Sequence, residues 1–163
     1  MKILKLHSKS TPGNLLHEDF TGIKSSHASL KLYAEQLDII CAIHGGVGIA
    51  ANQLGMRENF FFVVKGSNFK YKAQSKPSAH FFINPTWEAL PKTEMVEEIE
   101  GCLSLPGRRF YVKRPYRIVA SWTNVVGHRI SGAVLHGASA RIFQHEHDHL
   151  RGVTLEQSST KEI

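Results

Sequence analysis

Three histidines, a glutamate and an aspartate crowd into QHEHDHLRG (144–152). On a helix, His145 and His149 stand at i and i+4 and share a face, about 6 Å apart. Two imidazoles at that spacing suit one divalent cation, and Glu146 beside the first can reach its open coordination position. This is the His-Glu-x-x-His pattern, in which the glutamate works as a general base and not as a ligand. His147 projects roughly 160° away from that face, so it is no third ligand. The competing reading is a solvated, charged helix face.

A catalytic cation usually takes three protein ligands and leaves one position open. Downstream, only Glu156 and Glu162 are candidates, and Glu156 lies past a helix stop at Gly152. Upstream, EGCLSLPG (100–107) offers Cys102, between Gly101 and a strand-like turn. A thiolate is a strong ligand for a divalent ion. By itself Cys102 reads as a buried structural cysteine; beside a histidine pair one ligand short, ligation is the better reading. Only Cys41 accompanies it, too few cysteines for a disulfide framework.

The third feature is GGVGIAANQLG (45–55). Its glycines permit close approach of a substrate backbone. It is not a dinucleotide fingerprint, because a helix and not a strand precedes it, and it is not a phosphate loop, because no Gly-Lys-Ser/Thr follows. The Gln53 amide is placed to donate to an oxyanion. A plain packing loop remains the alternative reading.

These residues need elements to hold them. Leu30, Tyr33, Leu37, Ile40 and Cys41 recur at helical spacing between Ser26 and Ile43, and Gly45, Gly46 and Gly48 end that helix. NFFFVVK (59–65) and AHFFIN (79–84) read as strands, with a polar loop, GSNFKYKAQSKPS, between them. RRFYVKRP, YRIVASW and HRISGAVL suggest three more strands, MKILKLHS an edge strand, and Gly137–Leu150 a last helix. Without regular strand–helix alternation, the class is α+β: mostly antiparallel strands around a central metal-binding helix, with an N-terminal helix before the first motif. The length of 163 residues suits one domain, 1–163.

Taken together, GVGIAANQ (46–53), EGCLSLP (100–106) and QHEHDHL (144–150) resemble the three motifs of the peptide deformylases, in order and over about Leu30 to Leu155. The resemblance implies Cys102, His145 and His149 as ligands of one divalent ion. It implies Fe2+ in the cell, with Zn2+, Ni2+ or Co2+ as alternatives in purified protein. Glu146 becomes the general acid/base, and Gln53 with the Leu103 N–H the oxyanion hole. The backbone around Val47, Gly48 and Gly101 pairs with an extended substrate, and Arg109 helps hold it or is a surface arginine. The implied reaction removes formyl from the N-terminal formyl-methionine of new chains, releasing formate. By the same analogy Arg114 and Asp148 form an ion pair bracing the metal helix.

Some positions depart from the family pattern. His147 stands where an apolar residue is frequent, which puts the packing behind the helix in question. Glu98 and Arg141 map near the pocket for the methionine side chain, and two unpaired charges would spoil it, so they are expected to pair with each other. HSKSTPGN near the N-terminus is unlike the usual proline-rich opening, and the C-terminal helix or strand is expected to be short or missing.

Composition narrows the setting. The net charge of +6 favours transient proximity to the ribosome, or plain solubility. The basic residues are scattered, and no specific nucleic-acid site is evident. No apolar run is long enough to span a membrane and no secretory leader is read, so a cytoplasmic location is expected.

Overall fold

The computed structural model describes residues 27–56, 58–64 and 80–163; the segments MKILKLHS, HSKSTPGN and GSNFKYKAQSKPS lie outside them. The first helix, α1, spans His27–His44 and buries Leu37 and Cys41 completely. It stops where Gly45 turns left-handed, at φ 70°. Gly46 N–H then donates to Cys41 O at 2.8 Å and Gly45 N–H to Ala42 O at 3.5 Å, the paired closure that only a residue tolerant of positive φ permits cheaply.

Two antiparallel sheets follow. The larger has the order β1 (Gly48–Ala50), β2 (Phe60–Val63), β3 (His80–Ala89), β6 (Arg117–Thr123), β7 (Arg129–His136). The smaller has the order β4 (Met95–Cys102), β5 (Leu105–Pro115), β8 (Lys161–Glu162). Strands at the expected β2, β3, β5, β6 and β7 positions follow from their aromatic and β-branched content. Strand β4 was not read from the sequence. Its MVEEIEGC is almost wholly exposed, with Glu100 its one buried residue, so it lacks the alternation that marks a half-buried strand.

Helix α2, Gly137–Leu150, lies between the sheets. Ala140, Phe143 and Leu150 join the main core. There Phe61 stacks on Phe82 with centroids 4.7 Å apart, and Phe143 meets Phe61 edge-on at 5.0 Å. Burying each such ring contributes about 1.5–3 kcal/mol, so the helix is firmly seated on the large sheet. The small sheet carries only a minor core of Leu105, Phe110, Val112 and Leu155. After α2 come a four-residue helix α3, Leu155–Ser158, and β8; both terminal elements are present and both are short. No helix among the described residues is long and apolar enough to cross a membrane.

Candidate metal centre and active-site cleft

The bulge at Gly101/Cys102 breaks the β4–β5 register and turns Cys102 toward α2. Cys102 Sγ lies 3.1 Å from His149 Nε2, which lies 3.2 Å from His145 Nε2. The three donor atoms all fall within 4.8 Å of one another. Bonds of about 2.0–2.3 Å to a shared ion would space such donors by roughly 3.3–3.7 Å, so the cluster fits a small divalent cation with little adjustment. His147 stands apart, its ring 6.3 Å from Trp87 of β3; that aromatic neighbour answers the packing question its type raised. Glu156 and Glu162, the downstream alternatives for the third ligand, both turn to Arg108. Cys41 is buried and unbridged.

The electrostatics favour a cation. Burial alone would raise the Cys102 thiol, but the charge of His149 and the hydrogen bond from His145 outweigh it and bring it down to about 5. Burial likewise opposes charge on His145, yet Cys102 and Glu100 raise its pKa to about 10. A Cys102 thiolate facing imidazole nitrogens, one of which on His145 holds its proton tightly beside it, suits a divalent ion that takes that proton's place.

His145 is oriented from behind. Its Nδ1 lies 2.8 Å from Glu100 Oε2, which leaves Nε2 aimed at Cys102 and His149. Glu100 is only 7% exposed, so its charge must be balanced. Arg114 supplies Nε at 2.7 Å and Nη2 at 3.1 Å, and Arg141 supplies Nη1 at 2.6 Å. Burial works against the Glu100 carboxylate, but His145 and Arg114 hold it well below the usual range. Arg114 also reaches Asp148 at 2.7 Å, the expected brace. Arg141 Nε reaches Glu98 at 3.0 Å, the expected pair. The sequence reading missed Glu100 as the carboxylate that joins these residues. Its signal was position alone, two residues before the cysteine.

Glu146 is 4% exposed, and its Oε2 has no hydrogen-bond partner among the described residues. Burial is the main cause that raises its pKa to about 7, where a carboxyl can both accept and release a proton near neutrality. Gly48 makes room for it: a Cβ there would sit 2.6 Å from Glu146 Oε1. Gly46 in the same way accommodates the Leu103 side chain, which a Cβ would meet at 2.6 Å.

Gln53 lies in a 3-10 turn, Ala51–Leu54. Its Oε1 accepts from Ala50 N at 2.8 Å, which points the amide nitrogen the other way. Nε2 donates to Ser104 Oγ at 3.0 Å and lies 3.7 Å from Cys102 Sγ. The structure thus brings Gln53, Cys102, Leu103, His145 and Glu146 to the wall of one cleft of about 530 Å³, with Val47, Gly48, Gly101 and Arg109 also in its lining.

The family model described as polypeptide deformylase matches residues 2–162. The chain belongs to this family. It is 33% identical over 145 residues to peptide deformylase 2 of Shewanella oneidensis, covering 89% of this chain and 79% of that protein. Among solved structures, the peptide deformylase of Thermotoga maritima is similar with TM-score 0.69 and 31% identity, covering 90% of this chain and 92% of that one. The class I type b peptide deformylase of Acinetobacter baumannii, solved with Met-Ala-Ser bound, matches with TM-score 0.72 and 27% identity over 97% of each chain. The chain is therefore a peptide deformylase-family hydrolase, metal-dependent, that removes the N-formyl group from new polypeptides.

Proposed function

We propose that Cys102, His145 and His149 hold one divalent ion, and that Glu146 moves the protons of deformylation beside it. The convergence of the three donor atoms within 4.8 Å, next to a buried and unpartnered Glu146 oxygen, carries this reading. Bound there, the cation would supply Lewis acidity, polarising the formyl carbonyl and acidifying a water. Glu146 takes the proton of the attacking water and delivers it to the departing amine, so that formate and a free amino terminus leave. Gln53 Nε2 and the Leu103 N–H donate to the oxygen that gains charge, and losing one such donor costs about 10²–10³ in kcat.

Strands β1 and β4 are each the edge of their sheet. A peptide entering between them finds the backbone of Val47, Gly48 and Gly101 for strand-like pairing. Arg109, exposed on the cleft wall, stands beside its downstream residues. The first residue of that peptide is the methionine of a new chain, consistent with the Met-Ala-Ser bound to the Acinetobacter protein.

The physiological ion is proposed to be Fe2+, with Zn2+, Ni2+ or Co2+ able to occupy the site in purified protein. The Cys-His-His set supports this, since thiolate and imidazole suit all four. Residues 1–163 are proposed to form one cytoplasmic domain that meets its substrate close to the ribosome; the net charge of +6 supports that proximity.

Formate release from formyl-Met-Ala-Ser by metal-loaded protein tests the reading. Glu146→Ala should abolish turnover while binding the same one equivalent of metal. Full activity in that variant would refute the role of Glu146. Metal analysis after anaerobic purification should find iron, and zinc in its place would overturn that choice.

A further inference from the structure

Helix α2 lines the cleft with Arg141, Ile142 and His145. Arg141 lies about one helical turn before His145, about 6 Å along the axis. In a formylated chain, the first residue's Cα is two bonds from the carbon under attack. Its side chain therefore starts within a few ångströms of His145 and has Arg141 within its reach. An apolar side chain gains by leaving water for apolar surface. Here one wall is a guanidinium.

That guanidinium is fixed. Its Nε pairs with Glu98 at 3.0 Å, its Nη1 with Glu100 at 2.6 Å and Val112 O at 3.0 Å, and its Nη2 with Val96 O at 2.7 Å. Its side chain is 13% exposed. Swinging it aside would strand the buried Glu100 and two strand carbonyls. All but one of its N–H groups are committed, and the remaining one, on Nη2, has no partner among the described residues. Glu98 and Glu100 both pair with the guanidinium, so the wall is polar without presenting a bare cation to a charged guest.

We propose that Arg141, held in place by Glu98 and Glu100, is a specificity-determining residue that widens the choice of first residue. Beside methionine, the enzyme takes formylated chains that begin with an unbranched, uncharged polar side chain, glutamine above all. This rests on the deformylase reading and extends it.

The test compares kcat/KM for formyl-Gln-Ala-Ser with that for formyl-norleucine-Ala-Ser, whose side chain has similar length and no polar atom. A wholly apolar recess would favour norleucine by roughly 10² or more. In the wild type the ratio should stay within about tenfold, and Glu98→Leu with Arg141→Leu should widen it by about tenfold or more. Should the double variant fold poorly, Arg141→Met alone removes the guanidinium at similar length, leaves the half-exposed Glu98 to solvent, and should widen the ratio in the same direction, by about threefold. A wild-type ratio above about 10², or a ratio that neither variant moves, overturns the proposal. Hydrolysis of neither peptide, nor of formyl-Met-Ala-Ser, would instead overturn the reaction itself.

Discussion

The two flanks of α2 are held by opposite physics. Toward the large sheet it presents Ala140, Phe143 and Leu150 to an aromatic core. Toward the small sheet it presents Arg141, His145 and Asp148, at i, i+4 and i+7, to Glu98, Glu100 and Arg114. Apolar contact is non-directional and supplies most of the stability. The polar contacts each fix a distance and an angle. One flank seats the helix, and the other sets how its histidine points. A metal centre needs both, because its donors must hold position within a fraction of an ångström.

Breaking the apolar flank should show most in stability. Phe143→Ala is expected to cost about 3–5 kcal/mol of folding free energy, read from denaturant unfolding, while folded, metal-loaded molecules keep near wild-type kcat. A large loss of kcat per bound metal would mean that the core also sets site geometry. On the polar flank, Glu100→Gln keeps the shape and removes the charge that holds His145. Metal affinity, by competition with a chelator, should fall about 10–100-fold. Unchanged affinity would reduce Glu100 to a structural ion-pair partner.

Gly48→Ala probes the cleft between the flanks. Its new Cβ would press on Glu146 Oε1, so kcat should drop by about tenfold or more with metal retained. An intact kcat would show that the carboxylate has room to shift.

The two buried carboxylates sharpen the contrast through pH. Glu100 has a lowered pKa, so its contribution is full above the ordinary carboxylate range and is lost as pH falls through its folded value. Glu146 has a pKa raised to about 7, so its burial destabilises progressively as pH rises from the ordinary range through that value. In metal-free protein, Glu146→Gln should therefore raise Tm by several degrees at pH 8 and little at pH 4. Equal shifts at both pH values would count against it. The smallest effect is expected from Asp148→Asn: its side chain is 23% exposed, and Glu100 still holds Arg114, so the loss should stay near 1 kcal/mol.

The apolar flank was the more legible one. Phe61, Phe62, Phe81 and Phe82 declare their strands by type, and helix spacing pairs His145 with His149 without any tertiary information. The Glu98–Arg141 and Arg114–Asp148 pairs were legible too, though only by resemblance. Strand β4 and the role of Glu100 were not, because a solvent-facing strand carries no apolar alternation. A glutamate before a cysteine, moreover, does not announce two arginines and a histidine as partners.

The chain alone determined what covalent geometry repeats locally: the i, i+4 histidines, the rotation that excludes His147, and the glycine stop after α1. It also supplied the donor types that make a divalent ion the fitting guest. Only the tertiary structure decided which carboxylate orients His145, because that depends on the β4–β5 pairing and its bulge, which bring Glu100 and Cys102 to histidines more than forty residues downstream. It also decided that Arg141 is pinned by two strand carbonyls. Those partners are backbone atoms, identical at every position in sequence, and only the fold selects which of them a side chain meets.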